Sequence, residues 1–323
     1  MTISADALDG FRQRFNAIVT NIERVVQGKR HVSEQVTICL ISGGHLLIED
    51  VPGVGKTLLA KSLARSIDCT FSRIQFTPDL LPSDVSGVSV WDRERGDFTF
   101  RPGPVFANVV LGDEINRASP KTQAALLEAM EEQQVTVDGV TRPLDGPFLV
   151  VATQNPIEHE GTYPLPEAQL DRFMMRIAVG YPSRDKELEM LETHGARSTY
   201  IDLEPVIGAG DVIEMMALAT TVHVADAVKG YLVDLAEASR RDPDLLLGVS
   251  PRATLNLLRA SRAHAAAAGR DYVSPDDVKA MLHPVLNHRL ILRPEAQMRG
   301  MVMSTVINAL GNSVPVPGLK PVA

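Results

Sequence analysis

Cysteine is scarce in this sequence, and so are the segments that mark a secreted or membrane protein. The 323 residues include two cysteines, Cys39 and Cys69. Without metal-ligand spacing, these two residues predict free thiols rather than a disulfide framework or a zinc site. No apolar run is long enough to span a bilayer, and residues 1–10 have neither the cationic start nor the apolar stretch of a secretory signal. We therefore expect a cytoplasmic protein with no membrane segment.

A strong excess of positive charge is also missing. The formal net charge is −8 and the isoelectric point is about 5.5, which makes nucleic acid an unlikely partner but is compatible with a local basic patch. Apolar residues make up 45% and charged residues 22% of the chain, as in ordinary globular proteins. The chain is long for a single hydrophobic core, so we expect two domains.

The sequence is organised around residues 46–59. An apolar run, Leu46–Ile48, predicts a buried parallel strand, and the apolar residues after Thr57 recur at helical spacing. Between them lies a glycine turn followed by Lys-Thr, in the sequence GVGKT at 53–57. This order of strand, glycine turn and helix is typical of the phosphate loop, in which backbone N–H groups and the helix start surround phosphate oxygens.

The loop supplies candidate ligands for a nucleotide and its metal. Lys56 would reach the β- and γ-phosphates, and the Thr57 hydroxyl would ligate Mg²⁺. The usual pattern has glycine where this chain has Asp50, which tolerates left-handed backbone but would bring a carboxylate near the phosphates. The alternative is a plain glycine turn with a solvated lysine. The candidate nucleotide-binding residues of this loop are Asp50, Val51, Pro52, Gly53, Val54, Gly55, Lys56, Thr57 and Leu58.

Two further predicted strands end in polar residues that suit such a site. Asp113 and Glu114 follow an apolar strand, where Asp113 would hold Mg²⁺ through water and Glu114 would polarise the attacking water. Asn155 follows the strand 148–153 and could orient the water or touch the γ-phosphate. A strand ending in Asp-Glu is commonly structural, and asparagine before proline is common in turns. Their pairing with a phosphate loop is what favours a catalytic role.

Two arginines are candidates for the positive charge that phosphoryl transfer requires on the equatorial oxygens. Arg172 lies just before a predicted strand, and Arg252 lies in the first turn of a predicted helix that follows Ser250-Pro251. Taken alone, each arginine is better explained by a surface ion pair.

The pattern of elements divides the chain into two halves. Strands and helices alternate up to Pro182, and only helices are predicted after it, which indicates an α/β core followed by a small all-helical domain. Two predicted β-hairpins, at about 86–104 and 134–142, interrupt the core. The predicted domains are a core over 1–182, a linker over 183–209, a helical lid over 210–310 with its last helix at 295–310, and a mobile tail over 311–323.

Three longer strings resemble the MoxR branch of the AAA+ ATPases. They are QFTPDLLPSD at 75–84, FRPGP at 100–104 and LPEAQLDRF at 165–173. The string EDVP at 49–52 also looks like a form found in that branch. The resemblance covers roughly residues 20–310, with the candidate site residues in the order that the family has. It implies that Gly28, which comes first in this order, is a further nucleotide-binding residue.

The resemblance implies a P-loop NTPase core of AAA+ type, with a parallel sheet flanked by helices and a helical lid. It implies Mg²⁺-dependent ATP hydrolysis by a ring, usually a hexamer, that remodels partner proteins as a chaperone does. Arg172 would be the arginine finger on the neighbouring subunit's ATP, Asn155 the first sensor and Arg252 the second. Partners of such proteins often carry a von Willebrand factor A domain.

Two other interpretations remain open at this point. One is an AAA+ nucleic-acid motor or chelatase-like subunit, because these proteins share the hairpin insertions. The other is a nucleotide-gated binding module with little hydrolysis, which the carboxylate of Glu114 speaks against.

Overall fold

A computed structural model describes residues 3–156, 161–188 and 203–318 of the chain. The helices are α1 (Ala5–Glu23), α2 (Arg30–Ile41), α3 (Lys56–Ser66), α4 (Pro82–Ser86), α5 (Pro120–Glu132), α6 (Glu167–Leu170), α7 (Ala209–Thr221), α8 (Asp226–Arg241), α9 (Pro251–Ala267), α10 (Pro275–Leu286), α11 (Pro294–Met298) and α12 (Met303–Ser313). The strands are β1 (Leu46–Glu49), β2 (Phe71–Gln75), β3 (Gly87–Asp92), β4 (Asp97–Pro102), β5 (Val109–Asp113), β6 (Gln134–Val137), β7 (Val140–Pro143), β8 (Leu149–Gln154), β9 (Met175–Ile177), β10 (Leu245–Leu247) and β11 (Ile291–Leu292).

The core is built on a five-stranded parallel sheet in the order β2-β5-β8-β1-β9. Because every strand runs in the same direction, the carboxyl ends of all five strands meet at one edge of the sheet, and the amino ends meet at the other. The three central strands are continuous apolar runs, as expected for strands that are covered on both faces. The α/β core predicted from the sequence is confirmed.

The lid packs against one face of this core. Leu46 and Ile48 of β1 belong to a buried apolar cluster that also contains residues of α1, α2 and the lid helices. Leu47 points to the opposite face and joins a second cluster with α5. The alternation of side chains along one strand therefore divides the hydrophobic core into two parts, and one of them is shared with the lid.

Both predicted hairpins are present. Strands β3 and β4 pair antiparallel, as do β6 and β7. The guanidinium of Arg142, on β7, lies 3.9 Å from the ring centroid of Phe100, on β4, so the two hairpins contact each other. Near the end of the first hairpin, Trp91 and Phe98 form an edge-to-face pair and are more than half exposed.

The lid differs from the predicted all-helical domain in two respects. Strands β10 and β11 form a short antiparallel sheet within it. The helix predicted over 295–310 is divided into α11 and α12, because Gly300 has a φ of +76° that a continuing helix would not allow. Helix α12 then extends to Ser313, and Val314 is buried, so the predicted mobile tail does not begin at residue 311.

Parts of other predicted segments lie outside the described residues, namely 189–202 of the linker and 319–323 of the tail. Within the described part of the chain, no helix is both long and apolar enough to cross a membrane.

A fully buried carboxylate connects two lid helices. Asp277 accepts hydrogen bonds from Arg270, with Nη1–Oδ2 at 2.6 Å, from the Ser274 backbone at 2.7 Å, and contacts His264 Nδ1 at 2.6 Å. Burial raises the pKa of Asp277, but the hydrogen bonds from Arg270, His264 and Ser274 outweigh it and hold the pKa well below its ordinary value. The ionised carboxylate is thus the form that stabilises the lid.

We expect Asp277→Asn to lower the free energy of unfolding by about 3 kcal/mol at pH 7, because it leaves Arg270 without its buried counter-charge. Since the folded pKa is depressed, the stabilisation is fully present above the unfolded pKa, about 3.9, and is lost as the pH falls through the folded value. Denaturant unfolding between pH 7 and pH 3 should show a constant gap between wild type and variant down to about pH 4, and the gap should begin to close below that pH.

The exposed neighbour Asp276 provides the matched control. Asp276→Asn should change stability by less than about 0.5 kcal/mol. Equal losses for the two variants would contradict the role of the buried carboxylate.

Candidate active site

The phosphate loop joins β1 to α3, as predicted. Gly53 and Gly55 have φ angles of +85° and +94°, which favour glycine because other residues are strained in left-handed backbone. A Cβ at either position would meet nothing within 4 Å, so backbone conformation and not crowding explains these glycines. Gly55 directly precedes the first residue of α3, Lys56.

A cavity of about 350 Å³ lies where β1, β5 and β8 end, at the carboxyl edge of the sheet. It contains most of the predicted site and one residue that was not predicted, Arg73. The lining residues are Pro52, Gly53, Gly55, Lys56, Thr57, Leu58, Arg73, Asp113, Glu114 and Asn155.

Asp50 has a different role from the one that its sequence position suggested. Its Oδ1 accepts a hydrogen bond from the Val51 backbone at 2.8 Å, and its Oδ2 accepts one from the Gly180 backbone at 2.6 Å. These N–H groups direct the side chain towards the segment after β9, and Asp50 is not among the residues that line the cavity. Lys56 Nζ donates to the backbone oxygen of Asp50 at 2.6 Å.

Each of the two acidic residues at the end of β5 is held by specific donors. Asp113 Oδ1 accepts from the Thr153 hydroxyl at 2.6 Å, and Oδ2 pairs with Arg73 Nη2 at 2.6 Å. Glu114 Oε2 accepts from Gln75 Nε2 and from Arg117 Nη1, both at 3.0 Å. The backbone N–H of Glu114 donates to the same Thr153 hydroxyl at 2.9 Å. Thr153 thus links the two acids from the neighbouring strand β8.

The remaining predicted nucleotide contacts are divided between the cavity and its surroundings. Asn155 follows β8, lines the cavity and is 7% exposed. Val54 packs against the apolar core instead. Gly28 does not line the cavity either: its φ is +71°, and a Cβ there would lie 2.9 Å from Cγ of Lys186. The structure therefore explains Gly28 by backbone conformation and close packing.

Arg172 and Arg252 lie together, but not in this cavity. Glu131 at the end of α5 is between them: Arg172 Nε is 3.1 Å from Glu131 Oε2, and Arg252 Nη2 contacts Oε1. A second cavity, of about 480 Å³, is lined by all three residues and by His45, which precedes β1.

The arginine pair belongs to the amino edge of the sheet. The backbone N–H of Met174, just before β9, donates to the backbone oxygen of His45 at 2.8 Å. At about 3.3 Å per residue, the strand β1 separates His45 from Asp50 by roughly 16 Å. The arginines and the phosphate loop are therefore separated by the length of the sheet.

Comparisons with known proteins agree with this architecture. The profile of the ATPase family associated with various cellular activities (AAA) matches residues 45–175, and that of the AAA lid domain matches residues 237–309. The chain is 42% identical to chaperone MoxR1 of Mycobacterium tuberculosis, over 94% of this chain and 82% of that one. It belongs to the MoxR family of AAA+ ATPases.

Two further similarities extend over nearly the whole chain. The uncharacterised protein YeaC of Bacillus subtilis is 49% identical over 93% of each chain. A crystal structure from Cytophaga hutchinsonii, described as that of a candidate ATPase, matches with a TM-score of 0.90 at 39% identity and covers 96% of this chain and 97% of its own. The MoxR resemblance and the AAA+ fold inferred from sequence strings are thus confirmed.

The residues of this MoxR site fit a magnesium ion. Thr57 and Asp113 offer a hydroxyl and a carboxylate, the hard oxygen donors that Mg²⁺ prefers, in the same cavity. Among the described residues, no group of three or more histidine, cysteine or acidic side chains could form an all-protein metal cage. Mg²⁺ is commonly held by one or two protein ligands together with substrate phosphates and water.

Four residues that hold the acids were not predicted from the sequence: Arg73, Gln75, Arg117 and Thr153. A signal for the first two existed, since alternation along the strand 71–75 places them on one face. What the sequence did not reveal is that β2 pairs with β5, with Gln75 opposite Asp113.

We expect Asp50→Gly, which restores the usual loop pattern, to lower the free energy of unfolding by about 1–3 kcal/mol. The variant loses two charge-assisted hydrogen bonds between the loop and neighbouring backbone. Denaturant unfolding at pH 7 would measure the loss.

Asp68→Gly is the matched control, because Asp68 is exposed and has a φ of +49°. Glycine relieves backbone strain there, so this variant should be neutral or slightly stabilised. If Asp50→Gly proved as stable as the wild type, the carboxylate would be merely tolerated in the loop.

Proposed function

We propose that this MoxR protein hydrolyses ATP with Mg²⁺ as a ring of identical subunits. The observation that carries the proposal is one cavity that gathers Lys56, Thr57, Asp113, Glu114 and Asn155 from three strand ends and a helix start. A lysine, a hydroxyl and a carboxylate for the metal, a second carboxylate and an amide are the parts that phosphoryl transfer to water needs.

Each side chain has a distinct role in this proposal. Lys56 and the N–H groups of the loop bind the phosphates. Thr57 and Asp113 would hold Mg²⁺, which would supply positive charge to the phosphate oxygens. Glu114 is the general base that polarises the attacking water, and Asn155 orients that water. The donors Gln75 and Arg117 position the Glu114 carboxylate.

The arginine pair supports the assembly into a ring. Because Arg172 and Arg252 lie at the amino edge, beyond the length of β1, they do not face the phosphate loop of their own chain. We assign both to the ATP of a neighbouring subunit, whose cavity they would complete from outside. Such a contact joins two different faces of the subunit and closes into a ring when the rotation allows. A hexamer is the ring size that the family resemblance suggests.

The names of the relatives suggest what ATP hydrolysis is used for. MoxR1 of Mycobacterium tuberculosis is named a chaperone, so we propose that this chain remodels partner proteins. Partners with a von Willebrand factor A domain are those that the resemblance implies. The Glu114 carboxylate in the cavity favours a hydrolase over a module that only binds nucleotide.

We expect Glu114→Gln to bind ATP and to lose at least about 100-fold in turnover, because the amide cannot act as a general base. Phosphate release would measure turnover, and a fluorescent ATP analogue would measure binding. Glu128→Gln on the exposed side of α5 is the control and should keep the wild-type rate. Retained turnover in Glu114→Gln would remove this residue from its role.

We expect Lys56→Ala and Arg172→Ala to be inactive separately and partly active when mixed. In the mixture, an intact cavity of an Arg172→Ala subunit can meet the intact arginine of a Lys56→Ala neighbour at about a quarter of the interfaces. Phosphate release after mixing the purified variants would show the rescue, and no rescue would argue against an arginine acting between subunits.

Mixing Arg172→Ala with Arg252→Ala is the matched control. If both arginines come from the same neighbour, every interface in this mixture lacks one of them and activity stays lost. Rescue in this second mixture would instead assign Arg252 to the ATP of its own chain.

A further inference from the structure

One cation in the phosphate cavity has no role in the mechanism above. Arg73 lies on β2, the edge strand of the sheet, and its side chain is 48% exposed. Its Nη2 lies 2.6 Å from Asp113 Oδ2 and 2.7 Å from Gln75 Oε1. Gln75 in turn holds Glu114, so a single guanidinium is connected to both acids of the site.

Each carboxylate oxygen of Asp113 already accepts a hydrogen bond. Thr153 occupies Oδ1 and Arg73 occupies Oδ2. Thr153 is fully buried and also accepts the backbone N–H of Glu114, so it is fixed by the fold. Arg73 is half-exposed on an edge strand and carries a long side chain. Of the two partners of Asp113, Arg73 is therefore the one that can move aside when Mg²⁺ binds beside the carboxylate.

The displaced guanidinium remains beside the cavity that it already lines. Its planar set of N–H donors matches phosphate oxygens, often through two parallel hydrogen bonds. In the strand order, β2 lies on the far side of β5 from β1, so Arg73 faces the cavity from the side opposite the phosphate loop. That side carries Asp113 and Glu114, where the reacting phosphate must be.

We propose that Arg73 is a further phosphate-binding residue of the chain's own site, held by Asp113 before nucleotide binds and transferred to the outermost phosphate of ATP as Mg²⁺ takes over the carboxylate. The proposal rests on the ATPase function proposed above. It predicts that Arg73 distinguishes ATP from ADP, because ADP lacks the phosphate that would receive it.

Nucleotide affinity tests the proposal without relying on turnover. Dissociation constants for fluorescent analogues of ATP and ADP, both with Mg²⁺, would be measured for the wild type and Arg73→Gln. We expect the variant to bind ATP about tenfold more weakly, as for the loss of one charge-assisted hydrogen bond, and ADP less than about threefold more weakly. Equal losses for ATP and ADP would overturn the proposal.

A double-mutant cycle separates phosphate binding from a purely structural ion pair. The same two constants would be measured for Asp113→Asn with and without Arg73→Gln. If Arg73 contacts the phosphate, Arg73→Gln should still weaken the binding of ATP more than the binding of ADP when Asp113 is already replaced by asparagine. If the effect disappears there, Arg73 serves only as a partner of Asp113 and the proposal is wrong.

Two more variants control for misfolding and for a general loss of surface charge. Arg73→Lys keeps the charge without the planar guanidinium, so its ATP affinity should lie between those of the wild type and Arg73→Gln. If the glutamine variant does not fold, the comparison of ATP with ADP is made with Arg73→Lys. Arg241→Gln removes an exposed arginine of α8 and should bind both nucleotides as the wild type does. If Lys56→Ala binds ATP as tightly as the wild type does, the proposed ATP site itself is refuted. If Arg73→Gln binds ATP as tightly as the wild type does, only this inference is refuted.

Discussion

The common direction of five strands decides where chemistry can take place in this protein. A parallel sheet has two unlike edges, and loops at its carboxyl edge are the usual place for ligands in α/β folds. Here the ends of β1, β5 and β8 bring the phosphate loop, the two acids and Asn155 to one cavity. These residues are far apart in the chain, and only the strand order β5-β8-β1 makes them neighbours.

The same constraint separates the two arginines from the chain's own phosphate loop. Arg172 precedes β9 and therefore lies at the amino edge, where Arg252 from the lid and Glu131 from α5 meet it. One carboxylate against two guanidinium groups leaves an excess of positive charge at a partly open cavity. A triphosphate is an appropriate counter-charge for that surface, and the chain's own loop lies at the other edge of the sheet.

Local features of this protein could be predicted from its sequence, and long-range ones largely could not. The phosphate loop, both hairpins and the helix start at Ser250-Pro251 depend on neighbouring residues, so their patterns were sufficient. The position of Arg252 beside Glu131 depends on how the lid packs, and the partners of Asp50 depend on where the chain returns after β9. The pairing of β10 with β11 joins residues about 45 apart in sequence, and such short strands leave little pattern to recognise.

Three consecutive lid residues connect the two edges of the sheet. Asn287 accepts a hydrogen bond from Arg176 Nε at 3.0 Å, and Arg176 pairs with Glu49 at 2.8 Å, directly before the phosphate loop. His288 contacts the backbone oxygen of Phe173 at 3.0 Å.

The third of these residues, Arg289, is buried and pairs with Asp171 at 2.6 Å, next to Arg172. Because these contacts lie on one short segment, a shift of that segment would affect both the contacts near the phosphate loop and the contacts near Arg172. Energetic coupling between sites requires such a chain of packed and hydrogen-bonded groups between them. The segment 287–289 therefore provides a direct physical connection between the candidate nucleotide cavity and the arginine pair at the other edge of the sheet.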